Sequence, residues 1–465
     1  MQNREHTIQN LKSPTPSPPF AAPLRQLTLF DSTCIIVGII VGAAIYESSP
    51  RIAASVPGPV WLIAFWLLGG VMSLIGSLCY AELATAYPRE GGDYVFLTRA
   101  LGRACGFLFA WVQLWIVRPG SIGAMGFVFA NYANQIWPLH GASAAPVEYA
   151  AMAILLLTVV NIVGVRAGKW TQNLLTVAKV IGLGSIFVAA ILFAPPAVHV
   201  PAPAAGAAHW NIGMAMIFIF FAYGGWNEMA YVGAEVRDPN RNIVRALVLG
   251  TVAVTVIYVL VNLAFLKTLG FEGTCRSDAV AAEVMRLVGG RWGSRFISAL
   301  VCVSALGAIN GQIFTGARIY YAMGTEHRLY SRLGRWNARL GTPVWSLAIQ
   351  AVITMGLVIV FGMMQNGSQN GFDRLVIFTT PAFWIFLFLV GVSLFVLRFR
   401  EPNTPRPFRV PGYPITPLLF CGSSLFMVWS SLQWAWINRS PEAFWSIVIL
   451  AIGLVLSFFT PRDSK

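Results

Sequence analysis

The stretch FAYGGWNEMAY, residues 221 to 231, decides how this chain is read. It lies inside a long apolar run, and Gly224 and Gly225 stand side by side where a membrane-crossing helix would be continuous. Within lipid an unpaired backbone N–H or C=O costs several kcal/mol, so a helix is interrupted only where the break is buried in protein or lines a cavity. A matching stretch comes earlier. GIIVGAAIYESSP, residues 38 to 50, places Gly42, Ala43 and Ala44 in the first apolar run, where small residues let backbone come close to a ligand.

The rest of the chain supplies the membrane around these two breaks. Of 465 residues 57% are hydrophobic and 11% charged, with a mean hydropathy of +0.67, which a soluble domain could not carry on its surface. Crossing about 30 Å of hydrocarbon takes roughly 20 apolar residues in a helix. The sequence divides into twelve such blocks, near 28–49, 59–87, 104–136, 147–165, 170–194, 211–234, 243–269, 293–322, 343–364, 373–397, 413–436 and 442–460. This predicts an all-α integral membrane protein with twelve transmembrane helices. Residues 1–27, polar and Pro-rich (SPTPSPPF), lack an apolar core followed by a small-residue cleavage site and read as a disordered cytoplasmic tail rather than a signal peptide.

The net charge of +14 raises the question of nucleic acid, and the placement of the basic residues answers it. Arg89, Arg99 and Arg103, Arg166 and Lys169, Arg237, Arg241 and Arg245, the run from Arg318 to Arg339, and Arg398 to Arg409 all fall in alternate loops on one side. Such a bias puts that side, and both termini, in the cytosol of a cell whose plasma membrane holds the protein, and leaves no excess for nucleic acid. Of six cysteines Cys275 alone falls in a predicted outer loop, so no bridge forms there. All five histidines sit in loops or tails and no HExxH occurs, which removes a histidine proton relay and an in-membrane metal site from the expectation; no cofactor is expected. The spans carry no nucleophile with a base, against an enzyme, and isolated polar points rather than the continuous polar lining of a channel.

The broken spans are the first and the sixth, five apart, as expected when two five-helix halves repeat with inverted topology. Discontinuous helices then face each other at the midplane, offering N–H groups and positive dipole ends to an anionic group and freed carbonyls to a cationic one. A zwitterion with both charges on one carbon fits. The bland alternative is that these glycines only permit close helix packing.

With FAYGGWN followed by AEVRDPNRNIVRAL (Ala234 to Leu247), YAELATAYPREGGDYVFL (Tyr80 to Leu97), Arg118-Pro119 and SALGAINGQIFTGARIYYA (Ser304 to Ala322), the chain from about Leu27 resembles the L-type amino acid transporter branch of the amino acid-polyamine-organocation (APC) superfamily. The resemblance implies a LeuT-like 5+5 inverted-repeat core, with helices 1–5 over 28–194 and helices 6–10 over 211–397, plus two further helices over 413–460. It implies alternating-access movement of amino acids by exchange or proton coupling. It assigns the substrate α-carboxylate to Gly42, Ala43 and Ala44, and the α-amine to carbonyls of Ile40, Phe221 and Ala222. Phe221 becomes a lid, and Ser121, Gly224, Ser304, Gly307 and Trp384 the side-chain pocket. Neutral substrates are expected, with no obligatory accessory subunit; carriage of cationic amino acids or polyamines is the competitor. Ala44 where Gly is usual, an extra residue between Tyr46 and Pro50, Glu47, and Pro381 in IFTTPAFW depart from the pattern and bear on which substrate is carried.

Ionisable groups inside spans are costly and are functional candidates. Lys179 is nine residues into the fifth span, about 14 Å deep at about 1.5 Å per residue. In sodium-independent members of the family a fifth-span lysine replaces the sodium ion, so Lys179 is expected to reach carbonyls of the first span and the Ser304 region; it could carry the coupled proton or be a fixed strut. Arg118 precedes Pro119, whose missing N–H frees a carbonyl, and reads as structural rather than as a selector of acidic substrates. Glu47 reads as a solvated vestibule charge, and Glu82 and Glu235 as partners of nearby arginines.

Overall fold

The computed structural model describes residues 25–42, 44–89, 91–139, 145–193, 212–277, 280–327, 330–364, 371–437 and 440–459. Ala43, the side chain of Glu47 and residues 1–24 of the predicted tail lie outside the described residues.

Helix α1 (Leu29–Ile40) opens on a reciprocal cap: Thr28 Oγ1 accepts from Asp31 N at 3.2 Å while Asp31 Oδ2 accepts from Thr28 N at 2.9 Å. The chain is already ordered before this cap. Gln26 N and Leu27 N donate to Glu235 O, and Leu27 is fully buried, so the predicted tail gives way to structure two residues early. After the break comes α2 (Ala44–Ala53), then α3 (Pro59–Ala86), α4 (Asp93–Leu101) and α5 (Arg103–Val112). A π-helical turn (Gln113–Val117) leads directly into α6 (Arg118–Ile136). The turn precedes Pro119, whose ring cannot supply the regular α-helical bond. Next are α7 (Ala145–Val163), α8 (Val165–Phe193) and α9 (Ile212–Ala222). A 3-10 segment (Trp226–Glu235) follows, then α10 (Pro239–Arg276), α11 (Val280–Glu326), α12 (Val344–Met363), α13 (Gly371–Arg400), α14 (Ile415–Ile437) and α15 (Pro441–Phe459).

Among the described residues nine helices are long and apolar enough to cross a membrane, and the bent pair α1 and α2 makes a tenth if taken as one span. The chain is a multi-pass membrane protein. Its outer faces are apolar, as on α3, where Val60, Trp61, Leu67 and Val71 are exposed while Leu62, Phe65, Trp66 and Ser73 turn inward. Three features depart from the sequence reading. Past its expected break the sixth block continues as a 3-10 segment rather than an α-helix; α10 and α11 run beyond their apolar blocks and kink at Gly270 and at Gly289–Gly290; and α4 forms in a stretch expected to be loop.

A candidate substrate site between two helix breaks

The first break begins where α1 ends at Ile40. Val41 N still bonds back to Val37 O at 2.9 Å, but Gly42 N turns to Ile40 O at 2.7 Å, and the helix stops. The second begins after Ala222, where Gly224 N reaches Phe221 O at 3.3 Å and Gly225 adopts φ +116°. This left-handed conformation suits glycine. A Cβ at Gly225 would also sit 2.7 Å from Ile39 Cγ2 and 3.6 Å from Ile40 Cγ1, so the absence of a side chain lets the two breaks meet. Tyr258 of α10 holds them together: its hydroxyl is 2.8 Å from Ile40 O and 2.9 Å from Ala222 O. Sequence reasoning missed this tyrosine. A carbonyl has two lone pairs, so each can still accept a second donor.

A cavity of about 470 Å³ opens between the breaks. That suits a small organic solute. Ile40, Gly42, Ala44, Ser121, Phe221, Gly224 and Trp384, all named from the sequence, line it. Phe221 meets Phe372 edge-on at 6.1 Å, and Trp384 meets Phe220 at 5.5 Å. Ala222 is buried behind the wall with its carbonyl on Tyr258. Ser304 and Gly307, expected in the side-chain pocket, are placed elsewhere; they build the surroundings of Lys179. Lining residues the sequence did not single out include Ser48, Gln312, Thr379, Thr380 and Trp434.

Lys179 of α8 is 0% exposed. Its ammonium donates to Gly38 O at 2.8 Å, Val41 O at 2.5 Å and Ser304 O at 3.0 Å, so three donors meet three acceptors. Gly38 lies in the last turn of α1 and Val41 is its C-cap, where carbonyls lack intrahelical partners and the helix end carries partial negative charge. Ser304 Oγ adds a bond to Val41 O at 3.0 Å, and a Cβ on Gly307 would lie 3.1 Å from the lysine nitrogen. The ammonium thus ties α8 and α11 to the end of α1. No cluster of metal-ligating side chains occurs among the described residues.

Arg118, at the start of α6, donates to Glu228 Oε2 at 2.6 Å, and both residues line the cavity. Thr315 Oγ1 donates to the same carboxylate oxygen at 2.5 Å, Gln113 Oε1 accepts from Arg118 Nε at 3.1 Å, and the guanidinium stacks over Tyr231 at 4.9 Å. The sequence signal for Glu228 was available: an arginine inside a span needs a counter-charge, and Glu228 is the acidic residue of the 221–231 stretch.

Beyond this pair, on the side where the chain enters α1, the helices are latched. Glu235 pairs with Arg318 at 2.7 Å, both buried, and Asp31 pairs with Lys169 at 3.0 Å and accepts from Asn173 at 2.6 Å. Leu27 O accepts from Arg237 N at 2.9 Å. Glu82 is gripped by both ends of Arg398, at 2.8 and 2.6 Å, and by Val410 N at 2.7 Å. Asp93 of α4 accepts from the hydroxyls of Tyr231 at 2.6 Å and Tyr80 at 2.9 Å. Burial pushes its carboxyl up to about 7 against the lowering effect of those two bonds.

Among the described residues of this helical membrane protein two interrupted helices meet at a solute-sized cavity, the arrangement that a transporter needs. Residues 27–461 match the amino acid permease family, and the chain belongs to that family within the APC superfamily. Amino acid transport is therefore its general function, and it is not an enzyme. Across 444 residues it is 28% identical to the b(0,+)-type amino acid transporter 1 of Mus musculus, covering 93% of this chain and 87% of the relative. It is 29% identical to the serine/threonine exchanger SteT of Bacillus subtilis (strain 168), covering 88% and 91%. It is likewise 29% identical to the large neutral amino acids transporter small subunit 2 of Mus musculus, covering 87% and 77%.

Proposed function

We propose that this protein is a sodium-independent secondary transporter that carries neutral amino acids across the cytoplasmic membrane by alternating access. In this reading twelve spans form two inverted repeats, 28–194 and 211–397, followed by 413–460, with both termini in the cytosol. The observation that carries it is the meeting of the two helix breaks across the cavity, with Gly42 and Ala44 on one side and Phe221 and Gly224 on the other. N–H groups beginning α2 would receive the substrate carboxylate, and the carbonyls of Ile40, Phe221 and Ala222 the ammonium. Phe221 would close over the occupied site.

Lys179 supports sodium independence, because a triply bonded ammonium fills the position a cation would need among the α1 carbonyls. Neutral substrates are supported by Glu228, whose carboxylate in the cavity wall is taken by Arg118 and Thr315 rather than offered to a cation. The name of the Bacillus relative supports exchange, with proton coupling the other mode. The mouse relative is named as a small subunit, a name that implies a further chain. The segment between α6 and α7 of this protein has no cysteine to bridge to such a partner, which supports a transporter acting alone.

The test is uptake of a panel of labelled amino acids by the purified protein in proteoliposomes, with and without internal amino acid and across a pH gradient. Saturable neutral uptake indifferent to sodium is expected; sodium-driven uptake, or preference for lysine and polyamines, would contradict the reading.

A further inference from the structure

We propose that Glu228 sets the charge selectivity of the cavity by neutralising Arg118, so that removing either partner converts the site to substrates whose side chain carries the charge of the partner removed. This rests on the reading of the cavity as the amino acid site.

Arg118 lies one helical turn before Ser121 on α6, and Glu228 lies in the 3-10 segment just after the second break, four residues past Gly224, so the pair stands next to other cavity wall on both sides. The α-carboxylate and α-amine of a substrate are accounted for by the two breaks; what remains is its side chain. A lone guanidinium in a cavity of low dielectric would attract a carboxylate strongly, and with several donors in a rigid fork it would hold one well. Here a terminal nitrogen is engaged by Glu228 at 2.6 Å, and the same carboxylate oxygen is held by Thr315 at 2.5 Å. The pair therefore presents a dipole without net charge of its own to a substrate side chain. A glutamate or aspartate would have to displace Glu228, and a lysine would have to displace Arg118; a neutral side chain displaces neither. Arg51, also in the lining, lies on α2 with its guanidinium over the Phe218 ring at 5.0 Å. Gln312 Oε1, on the turn of α11 before Thr315, is buried without a hydrogen-bond partner, leaving an unsatisfied acceptor beside this polar wall.

The pair could instead serve only to hold α6 against the 3-10 segment. The two roles differ in the sign of what the variants do. Competition against uptake of a labelled neutral substrate in proteoliposomes would be compared for L-glutamate against L-glutamine and for L-lysine against L-norleucine. In the wild-type protein each charged competitor is expected to be at least tenfold weaker than its neutral match. Glu228→Gln should improve glutamate at least tenfold and leave lysine poor, Arg118→Gln should do the reverse, and the double variant should favour neither. Glu228→Asp, which keeps the charge but withdraws it by one methylene, should give a smaller gain for glutamate. Folded single variants with the wild-type ranking would overturn the inference while leaving the transport reading intact. Should the single variants fail to fold, glutamate competing within threefold of glutamine on the wild-type protein would overturn it, and a ranking that shifts towards glutamate in Glu228→Asp would support it. Absence of uptake of any amino acid by the wild-type protein would overturn both readings together.

Discussion

The hydroxyl of Tyr258 lies 2.8 Å from the carbonyl oxygen of Ile40, and the same hydroxyl lies 2.9 Å from that of Ala222. One proton therefore serves two carbonyls from two broken helices, and an arriving ammonium can take over whichever is left short. The fully buried ring is packed edge-on against Trp66 and Tyr223, so the hydroxyl is rigidly aimed. Tyr258→Phe keeps the ring and deletes the bridge. It should cost about 1–3 kcal/mol of stability, the penalty for a buried polar group left unpaired, and lower maximal uptake several-fold. Thermal unfolding in detergent and uptake kinetics would show both; unchanged uptake would remove Tyr258 from the substrate site.

Lys179 has no slack to lose. Replacing it by Met leaves Gly38 O, Val41 O and Ser304 O without their shared donor in a dry interior, and the end of α1 loses its counter-charge. Lys179→Met is expected to reduce uptake at least tenfold while the protein still reaches the membrane. Uptake at wild-type level in that variant would mean that the ammonium is dispensable for transport.

Gly225 should tolerate no side chain. Its φ of +116° and the 2.7 Å approach to Ile39 make Gly225→Ala strained in two ways, with a cost of about 1–3 kcal/mol from the backbone alone. Gly356→Ala is the control, because a Cβ there meets nothing within 4 Å and the residue is inside helix α12. Its stability should be unchanged or slightly raised. Equal melting temperatures for the two variants would contradict the geometry of the second break.

Asp93 predicts a pH dependence of the latched side. Its carboxyl is raised from an ordinary value of 3.8 to about 7 by burial, so the latched form binds a proton more tightly than a form in which Asp93 is hydrated. That preference for the latched form is fully present below about pH 4 and is lost as pH rises through about 7. Opening of this side, read by cysteine labelling of a residue placed behind Tyr231, should increase from pH 5 to pH 8. Asp93→Asn should flatten the curve; a curve that survives the substitution would assign the effect to another group.

Much of the fold was legible in the sequence because a membrane forces it to be: apolar blocks of about the length that crosses it, and helix breaks that lipid would not tolerate without a reason. Gly42, Ala44, Phe221 and Gly224 could be placed at the cavity for that reason. Ser304 and Gly307 were harder. They are small residues on α11, and sequence cannot say whether a small residue makes room for a solute or, as here, for the ammonium of Lys179. Tyr258 and Asp93 are also facts of tertiary pairing. Each sits in an element whose own pattern is ordinary, and only the approach of α10 to the two breaks and of α4 to Tyr231 gives them their partners, whereas Glu228 was legible as the counter-charge that Arg118 needs.

The central claim, that the two breaks jointly hold the two charged ends of one amino acid, is tested most directly by competition with substrate analogues. The strongest neutral amino acid found in the uptake panel would be compared with its decarboxylated amine and with its deaminated acid as inhibitors of labelled uptake in proteoliposomes. The intact zwitterion is expected to compete while each analogue, able to satisfy one break only, is at least a hundredfold weaker. An amine or an acid that competes as well as the amino acid would contradict it.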